Sequence, residues 1–390
     1  MARQRKLTGA TRLARVAHFS AGLTLLLFLY FVNGNKVFLP VAQNRFTGCI
    51  FVITLSHLIF EQRNQQLNTR KTFLLLTHSH DFYCIDLVAE HLRKQGYDSV
   101  RINTDHFPGK YGFSWNFSNE RKGFSLTMGR KTITSEQVAA VWMRKVLFPA
   151  PDETVDPAYR HVVANENNEI VRSFLTHLGS YPSLDPYELL ERAESKPLQQ
   201  NHAIDCGIVV PPSIITNSLK EAKAFMQKGK TYITKLLRPI GWSMGGDSNF
   251  FYTSFIKKSD LAAEHFAAHP VLIQEFVPKQ YELRVACVGD EFFAGKLGVE
   301  EFEADWRMPG KGGEWSAYRL PVAECKKLRR MMKLLGLNFG AIDIIRGTDN
   351  KYHFLEVNPI GEWGMLEKFT GLPISKAIAK HLIKIAKHEK

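Results

Sequence analysis

Cysteine is scarce in this sequence, and no two cysteines lie at the spacing of a metal-ligand pair or a redox motif. The 390 residues include five cysteines, at positions 49, 84, 206, 287 and 325. This dispersal argues against a disulfide framework and against a structural zinc site, both of which need closely spaced cysteines. A reducing compartment suits such a protein best, and we expect it to be cytoplasmic.

Apolar runs of membrane-spanning length are also missing from the first seventy residues. The runs "AGLTLLLFLYFV" (21–32) and "FTGCIFVITLSHLIF" (46–60) are each shorter than the roughly 18 apolar residues of a spanning helix. A basic start before a short apolar run resembles a secretory signal, so membrane contact through residues 1–60 stays an alternative that their length disfavours. A regulatory extension and a start codon placed too far upstream are the others. We treat residues 1–70 as an N-terminal extension of open role.

Acidic residues are outnumbered, which bears on the partners of the protein. There are 51 Lys and Arg against 38 Asp and Glu, a formal net charge of +13. This excess favours anionic partners. No zinc-finger spacing or aromatic-basic signature accompanies it, so we expect no nucleic acid partner. Nucleotides and acidic peptides remain.

From Lys71 onward the sequence has the pattern of an α/β enzyme. The stretch "TFLLLTHSHD" (72–81) is typical of a buried strand, and the apolar Ile85, Val88 and Leu92 that follow recur at helical spacing before Gly96. We predict a βα domain over residues 71–184, a central unit over 185–270 and a last unit over 271–390. The other predicted strands are "SVRIN", "VAAVWM", "TYITKLL" (231–237), "VLIQEFV", "YELRVACV", "EFFAGKLGV", "FGAIDII" and "YHFLEV", with a hairpin over 119–130 and helices near 186–205, 218–228, 321–335 and 374–388.

Near the end of the chain, "FLEVNPIGEWG" (354–364) combines a strand with converging oxygen ligands. Glu356 and Asn358 are two residues apart, so their side chains point to the same face of an extended strand, and Pro359 ends that strand. Asp343 lies in "GAIDII", which is predicted to be the neighbouring strand of a hairpin joined at "RGTDNK". Three hard oxygen donors beside basic residues are typical of a Mg²⁺ site.

Upstream, two lysines and a glycine-rich stretch suggest phosphate binding. "RPIGWSMGGDSNFF" (238–251) can lay backbone N–H groups against phosphates, although a hairpin loop has the same composition. Lys235 lies in an apolar strand and is either an edge residue in solvent or a charge that needs an anionic partner. Lys196 is either a second such cation or an ordinary solvated helix residue.

Taken together and in order, these stretches resemble the ATP-grasp superfamily. The resemblance rests on Lys196, Lys235, the glycine-rich stretch, "QEFV" (274–277), "YELRV" (281–285), "GAIDII" (340–345) and "FLEVNP" (354–359). Within the superfamily the chain is most similar to the microviridin-type (graspetide) ligases, which macrocyclise ribosomally made peptides. That closer similarity rests on "LLLTHSHDFYCIDLVAEHL" (74–92), "VWMRK" (141–145), "DWR" (305–307) and "NPIGEWGMLE" (358–367). It covers the chain from residue 71 to about 386, and residues 1–70 have no counterpart in it.

The resemblance implies a fold and two cofactors. The fold is α/β (α+β ATP-grasp), with an N-terminal βα pre-ATP-grasp-like domain followed by an ATP-grasp fold of two subdomains. The glycine-rich loop would belong to the central subdomain and the metal site to the C-terminal one. The cofactors are ATP and Mg²⁺, with two ions expected.

The resemblance also implies a role for each matching residue. Lys196 and Lys235 would hold the α- and β-phosphates. Arg284 and Arg307 would be catalytic and would neutralise the γ-phosphate and an acyl phosphate, for which a planar guanidinium is suited. The other expected contacts are Gly241, Gly245 and Gly246 over the phosphates, Gln274, Glu275, Phe276 and Val277 at the adenine, Glu282 at the ribose, and Asp343, Glu356 and Asn358 on the two ions.

The implied reaction joins a carboxylate to a hydroxyl or an amine. A substrate carboxylate attacks the γ-phosphorus of ATP to give ADP and an acyl phosphate, from which the second group displaces phosphate. The implied partner is a precursor peptide whose Asp or Glu side chains are linked to Ser, Thr or Lys side chains. A homo-oligomer, a dimer, is expected from the resemblance alone. For Arg144 we weigh contact with a substrate carboxylate against a structural salt bridge.

Two other functions stay open. One is an ATP-grasp ligase that adds an amino acid, such as glutamate, to a protein or peptide tail. The other is a nucleotide-binding regulator without turnover, against which the intact Asp343, Glu356 and Asn358 argue. The "DWR" and "GEWGMLE" stretches favour macrocyclisation over tail ligation.

Overall fold

A computed structural model describes residues 13–18, 23–32, 35–44, 71–81, 83–120, 122–238, 253–298, 304–305 and 314–388. The chain forms two compact units, Met1–Arg70 and Lys71–Lys390. In the first unit, β1 (Leu13–His18), β2 (Leu23–Val32) and β3 (Asn35–Asn44) form an antiparallel sheet in that order. Within the described ranges, no helix combines the length and the hydropathy needed to cross a membrane.

The second unit begins with a small parallel sheet. Its strands are β4 (Thr72–Thr77), β5 (Asp98–Asn103) and β9 (Val138–Met143), with β4 in the middle. Helix α1 (Cys84–Lys94) connects β4 to β5, and its Ile85, Val88 and Leu92 are buried as their spacing predicts. The hairpin predicted over 119–130 is a three-stranded meander of β6 (Gly112–Phe117), β7 (Lys122–Met128) and β8 (Lys131–Thr134).

Helix α2 (Arg160–Leu178) follows this meander, and the sequence analysis did not predict it. Its first half contains the polar run "NENNE", so an apolar period is visible only in the last two turns. There Val171, Phe174, Leu175 and Leu178 are buried at helical spacing. The ring of Phe174 packs on the meander, 5.0 Å from the ring centroid of Phe124.

The central part contains two helices followed by a four-stranded sheet. Helices α3 (Tyr187–Ala193) and α4 (Lys196–Asp205) replace the single predicted helix. The strand predicted over 231–237 ends at residue 234, and the strand predicted over 271–277 ends at residue 275 and pairs within this sheet. The sheet therefore crosses the boundary expected at residue 270, and the domain boundaries stay predictions. In the order β10-β13-β11-β12, its strands are β10 (Ser213–Thr216), β11 (Tyr232–Thr234), β12 (Ser254–Ile256) and β13 (Val271–Glu275), with α5 (Leu219–Phe225) and α6 (Ala263–Ala268) alongside in the chain.

The last part is an antiparallel sheet with strand order β16-β15-β14-β17-β18. Helix α7 (Val322–Leu335) ends at Gly336, whose φ of 80° is the left-handed conformation that glycine adopts readily. The last helix, α9 (Ile374–His388), packs against α1, β9 and β14, and so joins this sheet to the parallel one. The strands are β14 (Lys279–Val288), β15 (Glu291–Leu297), β16 (Trp315–Tyr318), β17 (Phe339–Gly347) and β18 (Tyr352–Asn358), and α8 (Gly364–Thr370) precedes α9.

A buried carboxyl group attaches β17 to the segment before α3. Asp185 accepts the backbone N–H groups of Asn338 at 2.7 Å and of Phe339 at 2.8 Å. The variant Asp185→Asn turns an amide donor toward one of these N–H groups, so we expect it to lower the free energy of unfolding by about 1–3 kcal/mol. Urea unfolding measures this loss, and the exposed Asp205→Asn should cause little change.

The same carboxyl group predicts a pH dependence. Burial raises the pKa of Asp185 from 3.8 to about 7. A group whose folded pKa is raised contributes stability that is fully present below its unfolded pKa and lost as the pH rises through its folded pKa. The stability advantage of the wild type over Asp185→Asn should therefore be larger at pH 5 than at pH 8. An equal advantage at both values would contradict this assignment.

Candidate active site

Three neighbouring strands of the last sheet place one charged residue each in a single row. Arg284 of β14 pairs in register with Asp343 of β17, which pairs with Glu356 of β18. Directly paired residues of antiparallel strands point to the same face, so the three side chains meet there. Nη1 of Arg284 donates to both carboxylate oxygens of Asp343, each at 2.7 Å. The neighbouring strands and the alignment of Asp343 with Glu356 that the sequence predicts are confirmed by this register.

A second cation reaches the row from α4. Lys196 is the first residue of that helix, is 8% exposed, and forms an ion pair with Glu356. A lysine buried to this extent needs an anionic partner, because an unpaired charge is costly away from water. The interpretation of Lys196 as a solvated helix residue is therefore wrong.

Asn358 supplies the third oxygen of the predicted metal site. It pairs with Ala341, two positions along from the pair of Asp343 with Glu356, so its side chain lies on the same face. Its Oδ1 accepts the backbone N–H of Ile360 at 3.1 Å. The described residues include no group of three or more His, Cys, Asp or Glu side chains that could hold a metal ion. A metal site here therefore depends on the asparagine as well as the two carboxylates.

Glu282 lies two residues before Arg284 on β14 and faces the same side. It forms an ion pair with the buried Lys279, a residue that the sequence analysis missed. Burial raises the pKa of Glu282, and Lys279 only partly offsets this effect. The signal was present in the sequence as a lysine three residues before a glutamate at the start of a strand.

The predicted adenine contacts lie at the end of β13. Nε2 of Gln274 donates to Oγ of Ser213 at 2.8 Å, and Glu275 forms an ion pair of 2.7 Å with Lys230. The backbone N–H of Phe276 donates to the carbonyl of Thr231 at 2.9 Å, which joins this segment to the start of β11. Val277 follows it, and Lys235 lies one residue beyond the end of β11.

Part of the predicted site lies outside the described residues. Gly241, Gly245 and Gly246 belong to this part, and so does Arg307. Asp305, which precedes that arginine in "DWR", is buried and accepts the backbone N–H of Thr253 at 3.1 Å. The roles of the four undescribed residues stay predictions.

Arg144 lies at the end of β9 in a buried cluster of charges. Its Nε donates to Oδ2 of Asp81 at 2.8 Å, and its Nη2 donates to Oε2 of Glu362 at 2.5 Å. The arginine side chain is 1% exposed, so it forms the structural salt bridge that was one of its two interpretations. Contact with a substrate stays a prediction. Glu362 and Asp81 are functional candidates that the sequence analysis missed, because their partner is remote in the chain.

Comparison with known proteins identifies several similar chains. A family model described as the MvdD pre-ATP grasp domain matches residues 72–191. The macrocyclase MdnB from Microcystis aeruginosa MRC is 36% identical, with a TM-score of 0.70 over 80% of this chain and 99% of its own. The macrocyclase MdnC from the same organism, solved with its precursor peptide MdnA, is 31% identical, with a TM-score of 0.71 and the same coverage.

A third similar structure comes from Chryseobacterium gregarium. This RiPP-associated ATP-grasp ligase, solved with ADP and a leader and core peptide, is 26% identical, with a TM-score of 0.73 over 80% of this chain and 97% of its own. No curated protein matches the sequence.

Proposed function

The chain belongs to the ATP-grasp ligase family that includes the macrocyclases MdnB and MdnC, and we propose that it cross-links side chains of a ribosomally made precursor peptide. As an ATP-grasp ligase it is an ADP-forming enzyme. The fold class expected from the sequence, a pre-ATP-grasp domain followed by an ATP-grasp fold, is confirmed by these similarities. The cross-links are esters or amides.

The row of charges across β14, β17 and β18 carries this proposal. Two carboxylates, Asp343 and Glu356, are each held by a cation, Arg284 and Lys196. Such pairs can separate when a metal–nucleotide complex arrives, because the carboxylates bind the metal while the cations bind the phosphates. The side chains of Asp343 and Glu356 are 28% and 23% exposed, so both can be reached from solvent.

The donor set of this row fits Mg²⁺. Two carboxylates and one amide provide hard oxygens on one face of the sheet, and Mg²⁺ prefers few protein ligands together with phosphates and water. We propose that Asp343, Glu356 and Asn358 hold two ions. Bound Mg²⁺ would neutralise negative charge on the phosphoryl group that is transferred.

The remaining residues of the site are proposed to bind the nucleotide. Lys196 and Lys235 would hold the α- and β-phosphates, and the glycines at 241, 245 and 246 would close over them. Glu282 would accept the ribose hydroxyls, and residues 274–277 would face the adenine. Arg284 and Arg307 would contact the γ-phosphate, where a fixed guanidinium can follow the transferred charge.

The proposed chemistry has two steps. An Asp or Glu carboxylate of the peptide attacks the γ-phosphorus, ADP leaves, and an acyl phosphate forms. A Ser or Thr hydroxyl or a Lys amine then attacks the acyl carbon, loses its proton and displaces phosphate. The enzyme needs no nucleophile of its own, because a second group of the same peptide reacts at high effective concentration.

The proposed partners are the precursor peptide and a second copy of the chain. The formal charge of +13 favours an acidic peptide. Dimer formation is proposed from the family alone, and size-exclusion chromatography with light scattering tests it.

Peptide mass tests the proposed function directly. Incubation with ATP, Mg²⁺ and acidic, Ser/Thr-rich peptides encoded beside the gene should lower the mass of one of them by about 18 Da per bond, since each condensation removes one water. ADP and phosphate should appear in equal amounts. The Asp343→Asn variant serves as the negative control.

Two other outcomes would contradict cross-linking. A mass increase equal to one amino acid, when free amino acids are added, would establish ligation to a peptide tail. Nucleotide binding without ADP formation or any mass change across these peptides would indicate a regulator.

A further inference from the structure

We propose that Glu362 is a positioning residue, held by Arg144 and Lys145, that orients the Arg284 guanidinium beside Asp343 for phosphoryl transfer. This inference rests on the proposed function, because Arg284 has this role only in an ATP-dependent ligase. Glu362 follows the strand that carries Glu356 and Asn358, and it contacts both the parallel sheet and the row of charges.

The backbone of Glu362 makes the contact with the row of charges. Its carbonyl oxygen accepts Nε of Arg284 at 3.2 Å and Nη2 at 3.1 Å. The remaining nitrogen, Nη1, donates to Asp343. All three guanidinium nitrogens are thus engaged, and a planar fork held on two sides cannot rotate without losing a hydrogen bond. The direction of the Glu362 carbonyl therefore decides where Arg284 points.

The side chain of Glu362 determines the direction of that carbonyl. Its Oε2 accepts Arg144 Nη2 at 2.5 Å and Lys145 Nζ at 2.9 Å. Its Oε1 accepts the backbone N–H of Gly364 at 2.8 Å and the thiol of Cys84 at 2.9 Å. Held by donors at both oxygens, the carboxylate anchors the turn after β18 to β9 and α1.

The surroundings of Glu362 are packed too closely for this anchor to shift. The side chain of Arg144 is 1% exposed and is also paired with Asp81, and its guanidinium carbon lies 5.8 Å from the ring centroid of the buried Trp363. A Cβ at Gly364 would clash with Sγ of Cys84, so only glycine lets the two segments approach this closely. The anchor therefore has one arrangement rather than several.

The charges of the anchor keep it intact at working pH. Burial alone would raise the pKa of Glu362, but Arg144 and Lys145 outweigh it and hold the pKa well below its ordinary value. A carboxylate with a depressed folded pKa keeps its stabilising contribution above its unfolded pKa and loses it only as the pH falls through the folded value. Burial raises the pKa of Cys84, so its thiol stays protonated and donates.

Glu362→Gln tests the positioning role, with Glu367→Gln as the matched control. Glu367 is also a hydrogen-bonded carboxylate, which accepts the backbone N–H and the hydroxyl of Ser375, and Arg284 makes no contact with it among the described residues. The peptide whose mass falls in the experiment above serves as substrate. We expect Glu362→Gln to lower kcat for ADP release by roughly 10–100-fold, since a displaced catalytic group loses orientation. Glu367→Gln should leave kcat close to that of the wild type.

A second readout separates positioning from a general structural loss. Because Arg284 acts on the transferred phosphoryl group, the Kd for Mg²⁺-ADP in isothermal titration should change by less than about threefold in Glu362→Gln. The double variant Lys145→Met/Glu362→Gln should lose little more kcat than Glu362→Gln, because both changes break the same link. If Glu362→Gln fails to fold, Lys145→Met alone applies the test, because that lysine is 21% exposed and can be replaced at low cost.

The result that overturns the inference is specific. A wild type that forms ADP, with Glu362→Gln no slower than Glu367→Gln or with Mg²⁺-ADP binding weakened as much as kcat, removes the positioning role and leaves the proposed function standing. In the Lys145→Met arm, an unchanged kcat has the same meaning. A wild type that forms no ADP with any peptide defeats the proposed function itself.

Discussion

Replacing Asp343 by Asn should abolish ADP formation while the protein stays folded. The change keeps the size of the side chain and removes one of the two charges proposed to hold Mg²⁺. A bound metal contributes several kcal/mol to a phosphoryl-transfer transition state, so we expect turnover to fall by about 10³-fold or more. The ion pair of Asp343 with Arg284 is partly exposed, and Arg284 keeps its two hydrogen bonds to the carbonyl of Glu362. The melting temperature should therefore change little.

Glu356→Gln should cause the same loss of turnover with a larger loss of stability. Its partner Lys196 is 9% exposed in its side chain, and a buried cation left beside a neutral amide costs roughly 1–3 kcal/mol. Steady-state ADP release and thermal unfolding measure the two effects. Asp349→Asn, in the turn between β17 and β18 and paired with His353, is the matched control and should turn over normally.

A ligand-induced shift distinguishes loss of the metal site from damage elsewhere. Mg²⁺ with ADP should raise the melting temperature of the wild type and of Asp349→Asn, because a ligand bound only to the folded state stabilises it. The shift in Asp343→Asn should be much smaller with Mg²⁺. Normal turnover in Asp343→Asn would remove Asp343 from the metal site.

Gly361→Ala should reduce both stability and turnover, although it adds a single methyl group. The new Cβ would lie 2.5 Å from Cβ of Ala341, 2.9 Å from Nη2 of Arg284 and 3.1 Å from Cβ of Asn358. Ala341 is fully buried in β17, so the movement falls on Arg284 and on the turn. Overpacking of this kind costs typically about 1–3 kcal/mol. A displacement of Arg284 approaching 1 Å would slow phosphoryl transfer by about 10²-fold.

Urea unfolding and single-turnover ADP formation measure the two consequences of Gly361→Ala. Gly109→Ala is the matched control, since no atom lies within 4 Å of its added Cβ. It should match the wild type in both assays. If Gly361→Ala were destabilised but reacted at the normal rate, the close approach to Arg284 would have only a structural role.

The row of charges shows which parts of a site can be predicted from sequence. Asp343 and Glu356 belong to two strands joined by a short turn, so alternation along each strand and the length of the turn together determine that the residues face each other. The sequence analysis placed them on neighbouring strands, and the register pairs them directly. Arg284 was assigned to the same site only through the family resemblance, because β14 is separated from β17 by two strands and a helix.

The errors have equally local causes. Helix α2 was missed because polar residues fill its first half, and its apolar face is covered by the meander rather than by a neighbour in sequence. The strand predicted over 231–237 ends at residue 234, because apolar residues predict burial and do not tell where hydrogen bonding to the next strand stops. Helices α3 and α4 are separate, with Lys196 and Pro197 at the start of α4, and proline suits the first turn of a helix.

The sequence by itself determined the class of enzyme and the types of residue in its site. Periodicity predicted most strands and several helices, and motif order was sufficient to recognise the ATP-grasp family, because these signals are carried by neighbouring residues. Only the tertiary structure decided which charges pair. Glu356 takes Lys196, 160 residues away, and Glu362 takes Arg144, 218 residues away. Such pairs form because packing of α1 and α9 against β9 and β14 brings remote segments together, and no local spacing in the chain encodes that packing.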